Sequence, residues 1–182
     1  LNLQSKYIED PSALAAIKDG RNRVNSMSLI HQNLYGRENI AYMDVAAYLE
    51  KLSDSLFHSY NVNKDRVQLH TEVDPVRLDI DVLIPLGLIL NELISNSLKH
   101  AFPEERSGNI TVALKKEDQH LILEVKDDGI GGDQSTDPDK EKHSFGMELV
   151  RTFSHKLKAT MEVFSDHGMN TRIIIPYNPR SA

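Results

Sequence analysis

Asn91-Glu92-Leu93-Ile94-Ser95-Asn96-Ser97-Leu98-Lys99-His100-Ala101 closes a very apolar stretch that begins at Val82. Glu92, Ser95, Asn96 and Lys99 stand at i, i+3, i+4 and i+7, a spacing that a helix aligns on one face. Leu86, Ile89, Leu90, Leu93, Ile94 and Leu98 cover most of the rest, so the pattern predicts an apolar helix with one narrow polar stripe. A carboxylate, an amide and an ammonium in that order suit a magnesium triphosphate. The amide oxygen is a hard ligand for Mg²⁺, and the ammonium neutralises phosphate charge. The solvated face of an ordinary amphipathic helix has the same spacing.

Outward from this stretch, strands and helices are both expected. Val45, Tyr48, Leu49, Leu52 and Leu56 recur at helical intervals behind Asp44, a capping residue, and that helix should pack on a sheet. Val67, Leu69, Thr71 and Val73 alternate as in a strand. Asp79 to Asp81 introduces the central helix, which tolerates Pro85 only in its first turn, and Pro103 ends it. Ile110, Val112 and Leu114 alternate, as do Leu121, Leu123 and Val125, and Glu117-Asp118-Gln119-His120 joins the two runs as a hairpin. Residues 131 to 145 have no periodicity and read as a mobile loop. Gly146 to Leu157 reads as a helix burying Met147, Val150, Phe153 and Leu157, and Thr160 to Phe164 with Thr171 to Pro176 as a last hairpin around His167-Gly168.

At the other end, Leu1 to Ile8 reads as the end of one helix, and Asp10-Pro11 opens a second. Leu14, Ile17, Val24, Met27, Ile30 and Leu34 keep near-heptad spacing up to Gly36, the pattern of a helical hairpin whose longer arm keeps an apolar stripe for another chain or for further residues of this one to cover. The chain opens on Leu1 without a methionine and reads as part of something longer.

Composition narrows the function classes. With 40% hydrophobic residues among 182, the chain is expected to be globular, between one domain and two. A net charge of -6 gives no general reason to bind nucleic acid or an anionic membrane. The absence of cysteine removes disulfides and thiolate metal sites and suits a reducing cytosol. No apolar run is read as approaching the roughly 20 residues that span a bilayer, and residues 1 to 10 lack the order of a signal peptide. The eight histidines offer no i, i+4 pair and no H-E-x-x-H, so zinc is not expected.

One further motif carries chemistry. Asp127-Asp128-Gly129-Ile130-Gly131-Gly132 follows a strand directly, which holds a carboxylate on a rigid element beside glycines that permit close approach. A carboxylate only accepts hydrogen bonds, so it suits the exocyclic amino group of adenine and rejects the carbonyl of guanine. Asp-Gly is equally a turn signal. Neither a Rossmann nor a Walker glycine pattern is present.

The order of these parts resembles the Bergerat-fold ATPases shared by gyrase, mismatch-repair ATPases, heat-shock chaperones and sensor histidine kinases. Asn91 to Ala101 looks like that family's N box, Asp127 to Gly131 like its first glycine box, Ser144-Phe145-Gly146-Met147 like its second and Gly168 to Thr171 like its third. The resemblance covers about residues 38 to 182 and implies a two-layer α/β sandwich: a mixed, mostly antiparallel sheet with helices on one face. Residues 1 to 37, through Arg21-Asn22-Arg23-Val24 and Leu29-Ile30-His31-Gln32-Asn33-Leu34-Tyr35, look like the end of the dimerisation and phosphotransfer hairpin of one sensor-kinase subgroup. In that subgroup the acceptor histidine precedes Leu1, which leaves His31 a structural or dimer-contact role.

By the same resemblance, Asn96 would ligand Mg²⁺, Lys99 would touch a phosphate and Glu92 would act as base or water-positioning carboxylate. Asp127 would hold adenine. Gly146 and the Met147 amide would receive phosphate at a helix N-terminus, with His100, Gly129, Ile130, Gly131 and Thr171 lining the nucleotide site. Ser144 departs from the glycine that many relatives carry there. The implied function is that of a cytoplasmic ATP-dependent histidine kinase. It would be homodimeric through its hairpin and would feed a response-regulator receiver domain, without nucleic-acid or membrane contact by this stretch. An ATP-driven conformational clamp and a nucleotide-sensing module without turnover are the other readings.

Overall fold

The computed structural model describes residues 45–60, 62–63, 65–131 and 145–177, together with Asp10 and residues 13, 14, 17, 20–25 and 28. The expected first arm of the hairpin, His31, the Asp44 cap, Ser144 and all but the ends of the 131–145 loop lie outside the described residues. The described residues between 13 and 28 are helical, and Leu14 and Val24 are exposed on them.

Three helices and five strands follow: α1 (Val45–Tyr60), β1 (Val67–Val73), α2 (Ile80–Asn96), β2 (Gly108–Glu117), β3 (His120–Asp127), α3 (Phe145–Lys156), β4 (Thr160–Ser165) and β5 (Met169–Pro176). The sheet order is β1-β2-β3-β5-β4. Only β1 and β2 run parallel, with Val67 opposite Gly108; the other pairs are antiparallel. The sheet is therefore mixed and mostly antiparallel.

Strand alternation decides which face is covered. Ile110, Val112, Leu114, Leu121, Leu123, Val125, Ile173 and Ile175 point into one core with Leu49, Leu52 and Leu56 of α1 and Leu83, Leu86, Ile89 and Leu90 of α2. The opposite face carries Lys115, Glu124 and Arg172, with Lys115 paired to Glu72 at 3.0 Å and Arg172 to Glu124 at 3.5 Å. Among the described residues the helices thus lie on one face of the sheet.

α2 is the centre of that layer, buried nearly all round because it is apolar nearly all round. With the turn that extends it, it forms a 22-residue run, Ile80–Ala101, long and apolar enough to cross a membrane. This corrects the expectation that no run approaches that length. The most apolar window is 72% buried inside the domain, so here the run is a core helix.

Two smaller expectations also give way. Pro85 lies beyond the first turn of α2. The hydrogen bond it cannot donate would have gone to the carbonyl of Asp81, an exposed residue whose carbonyl water can satisfy. The β2–β3 turn is tighter than a four-residue link, because pairing runs on to Glu117 opposite His120 and leaves Asp118, at φ 50°, and Gln119 as the turn.

Leu90 is completely buried at the centre of this layer. Leu90→Ala should lower unfolding free energy by about 2–5 kcal/mol. Denaturant titration checks this, and a loss below about 1 kcal/mol would mean that α2 is not the core helix.

Candidate functional site

The polar stripe is not solvated. Glu92 and Ser95 are 5% and 4% exposed, so the reading of an ordinary surface helix fails for its first turn. Glu92 is satisfied from three directions. Asn91 Nδ2 donates to Oε1 at 3.1 Å. Arg23, from the N-terminal helical segment, donates through Nε to Oε1 at 2.5 Å and through Nη2 to Oε2 at 2.9 Å. The first turn of α3 closes the remaining side, since a Cβ on Gly146 would stand 2.7 Å from Glu92 Oε2 and 3.9 Å from Asn96 Oδ1. Asn96 Nδ2 donates to Met147 Sδ at 3.7 Å. Glu92, Asn96, Gly146 and Met147 therefore meet at one place.

After Asn96 the helix widens into a π-helical turn, Ser97–Ala101, a form that occurs often at functional sites. The wider turn takes Lys99 and His100 off the α-helical register. Both are exposed, and the Lys99 ammonium lies 5.6 Å from the centre of the Tyr60 ring at the end of α1. The stripe predicted as one line of four is thus a buried pair, a half-buried amide and an exposed lysine turned toward α1.

The same turn connects to β3. Ser97 Oγ donates to Asp127 Oδ2 at 2.7 Å, and the Ile130 amide donates to the Ala101 carbonyl at 3.0 Å. Asp127 Oδ1 accepts from the amides of Gly129 and Met169, each at 3.1 Å. With both oxygens held, this buried carboxylate has one fixed aim, and Oδ2 keeps a second lone pair for a donor such as an exocyclic amine. The glycines make the packing possible. A Cβ on Gly168, whose φ is +133°, would fall 1.8 Å from the Asp127 carbonyl, and one on Gly129 would fall 2.4 Å from Ala101. Thr171 is buried and pairs with Val125, one step along the same face from Asp127. Ile130 is exposed beside this pole, and Gly131 follows at φ +72°.

Arg23, Asn91 and Ser97 escaped the sequence reading. Ser97 falls off the α-helical stripe by one residue, and no spacing rule ties it to Asp127, 30 positions further on. Arg23 lies 69 positions from its partner, and no spacing rule reaches that far. As for metals, no group of three or more His, Cys, Asp or Glu side chains converges among the described residues. The Asn96 amide oxygen still fits Mg²⁺, which takes one or two protein oxygens and completes its shell with water and phosphate.

The residue next to Asp127 has a different task. Asp128 Oδ1 and Oδ2 accept from the backbone and side chain of Asn109 at 2.6 and 2.7 Å. Burial works to raise its carboxyl, but the Asn109 hydrogen bonds, with the charge of Arg106, outweigh it and hold Asp128 below the ordinary carboxylate range.

The sequence profile of the "Histidine kinase-, DNA gyrase B-, and HSP90-like ATPase" family matches residues 81–181, and a profile described as "Histidine kinase" matches residues 1–60. The sensor histidine kinase PdtaS of Mycobacterium tuberculosis (strain H37Rv) is 28% identical over 84% of this chain, which spans 30% of that protein's length. The anti-sigma F factor of Clostridium acetobutylicum is 28% identical over 58% of this chain and 74% of its own length. The histidine kinase domain of the blue-light activated histidine kinase of Erythrobacter litoralis superposes with a TM-score of 0.75 at 24% identity, covering 87% of this chain and 74% of that one. At that identity the likeness is one of fold.

Asp128→Asn should destabilise the fold at neutral pH by about 1 kcal/mol or less, since solvent screens the site. Because the folded carboxyl titrates below the unfolded value of about 4, the stabilisation is full above that value and is lost as pH falls through the folded one. Thermal unfolding of both forms from pH 7 to 3 should show the gap closing in acid; a gap independent of pH would contradict this origin.

Proposed function

Since the chain belongs to the histidine kinase-, DNA gyrase B- and HSP90-like ATPase family, we propose that it is the ATP-binding catalytic part of a protein-histidine kinase in two-component signalling. The observation that carries this reading is the convergence of Glu92, Asn96 and the first turn of α3 at one pole, with Asp127 fixed at the other pole of the same π turn. The histidine-kinase match over residues 1–60 favours a kinase over a conformational clamp. Residues 1–37 are assigned to the end of a dimerisation and phosphotransfer hairpin and 38–182 to the catalytic domain. The seating of α1 in the same core as α2 supports that division.

In this reading Asp127 accepts the adenine amino group, and Gly129, Ile130, Gly131 and Thr171 shape the base pocket. Asn96 Oδ1 would hold Mg²⁺, which neutralises phosphate charge when bound. Lys99 leaves the Tyr60 ring for a phosphate, His100 lines the outer edge, and the Gly146 and Met147 amides face the phosphates from a helix N-terminus. Phosphoryl transfer rests mainly on position and charge neutralisation. The bond between the γ-phosphorus and the ADP oxygen breaks as one forms to a histidine nitrogen, whose proton passes to the Glu92 carboxylate. In this reading that histidine lies ahead of Leu1, on a hairpin through which the protein forms a homodimer, and the next acceptor is the aspartate of a response-regulator receiver domain. A cytoplasmic location follows from that role.

A second reading is a nucleotide-binding module whose output is a protein contact without turnover. The likeness to an anti-sigma F factor favours it. The two separate in one experiment: this chain is incubated with γ-labelled Mg-ATP and a complete histidine-bearing hairpin supplied as a separate chain. A kinase labels that hairpin weakly, as a bimolecular reaction without the advantage of proximity, and the label is acid-labile and base-stable. Asn96→Ala should cut labelling by at least about 100-fold, the scale of losing one well-placed electrostatic group in a transition state. Nucleotide binding with no labelling would favour the module.

A further inference from the structure

Arg23 is out of place in this assignment of roles, because it comes from the helical segment outside the catalytic layer yet makes the shortest polar contact at the phosphate pole. Its position is anchored. The neighbouring Asn22 is buried and accepts a hydrogen bond from Ser59 Oγ at 2.7 Å, which fastens the segment to the last turn of α1. The guanidinium lies 4.9 Å from the centre of the Phe145 ring, at the start of α3. Its side chain is 19% exposed and that of Glu92 7%, so the pair is largely removed from water.

This grip blocks the carboxylate. Glu92 Oε1 accepts from both Arg23 Nε and Asn91 Nδ2, while Oε2 accepts from Arg23 Nη2 and lies flush against Gly146. Little capacity is left for an incoming proton donor while Arg23 stays. The guanidinium nevertheless grips an oxygen at the very edge where Asn96 Oδ1 and the first turn of α3 meet, which is where the reading above seats the terminal phosphate. A planar fork matches carboxylate and phosphate equally well, and a long side chain moves between two adjacent anions without moving its helix.

We propose that Arg23 reads the terminal phosphate: its guanidinium leaves Glu92 for the γ-phosphate of a bound nucleoside triphosphate, and in doing so opens Glu92 to the acceptor. The inference rests on the nucleotide reading of this site and adds to it a residue that discriminates triphosphate from diphosphate. It also makes release of the carboxylate depend on the presence of the phosphoryl group to be transferred. Arg23 belongs to the N-terminal helical segment, on which Leu14 and Val24 are exposed, so movement of that segment reaches the pole directly.

The test is calorimetric binding of Mg-ATP and Mg-ADP to the full 182-residue chain, as wild type, Arg23→Ala, Arg23→Lys and the double variant Arg23→Ala/Glu92→Gln. Wild type should prefer ATP. Arg23→Ala should weaken ATP binding about tenfold, the scale of a charge-assisted hydrogen bond, and shift ADP binding by less than about twofold. Arg23→Lys should recover only part of the preference, because it keeps the charge and loses the fork. The double variant removes the uncompensated buried carboxylate and should still lack the preference, which separates phosphate contact from local collapse. Equal losses for ATP and ADP, or none for either, would make Arg23 a structural brace and overturn the proposal. A wild type that binds neither nucleotide would instead overturn the nucleotide reading, and the role of Arg23 with it.

Discussion

The hydrogen bond from Ser97 to Asp127 joins the end of the buried helix to the end of the central strand, and the geometry of the site depends on it. Ser97, whose amide still bonds the Leu93 carbonyl in α-helical register, reaches the carboxylate at the point where α2 passes into a π turn. The widened turn then delivers the Ala101 carbonyl to the Ile130 amide, so the glycine-containing segment after β3 hangs from the helix as well as from the strand. Both poles are thereby referred to one rigid piece, with Glu92 and Asn96 just before the turn and Asp127 held just beyond it. A side-chain hydroxyl in a water-poor place, given to a carboxylate with no spare orientation, serves position more than stability.

Charge has to be read locally in this molecule. The chain as a whole is acidic, with a net charge of -6, which would repel an anionic ligand at long range. At the Glu92 pole the balance is different, with the Arg23 guanidinium and the start of α3 close to one buried carboxylate. Screening over about 8–10 Å at ordinary ionic strength makes that local balance outweigh the distant charges. The acidic and basic side chains of the open sheet face neutralise one another across strands and lie on the far side of the core.

The sequence disclosed most where periodicity is strong and chain separation short. The alternation in β2 and β3 and the apolar positions of α1 predicted elements that the structure has, because side-chain periods of 2 and 3.6 follow directly from backbone geometry. The strand-end Asp127 and the glycines behind it were legible for the same reason. Arg23 was not, since pairing across 69 residues leaves no periodic trace. The π turn was not either: one inserted residue in a helix leaves the apolar pattern nearly intact while moving Lys99 toward Tyr60. Pro85 misled through a rule that holds for an isolated helix; in this buried one the orphaned carbonyl belongs to an exposed residue.

In the nucleotide reading, two poles tied by one turn receive the two ends of one adenine nucleotide. Amide chemical shifts measured with adenosine, with inorganic triphosphate and with Mg-ATP test it most directly. Adenosine should perturb the amides of Gly129, Ile130 and Met169 around Asp127, triphosphate those of Gly146 and Met147, and Mg-ATP both groups at once. Mg-ATP shifts confined to one pole would contradict it.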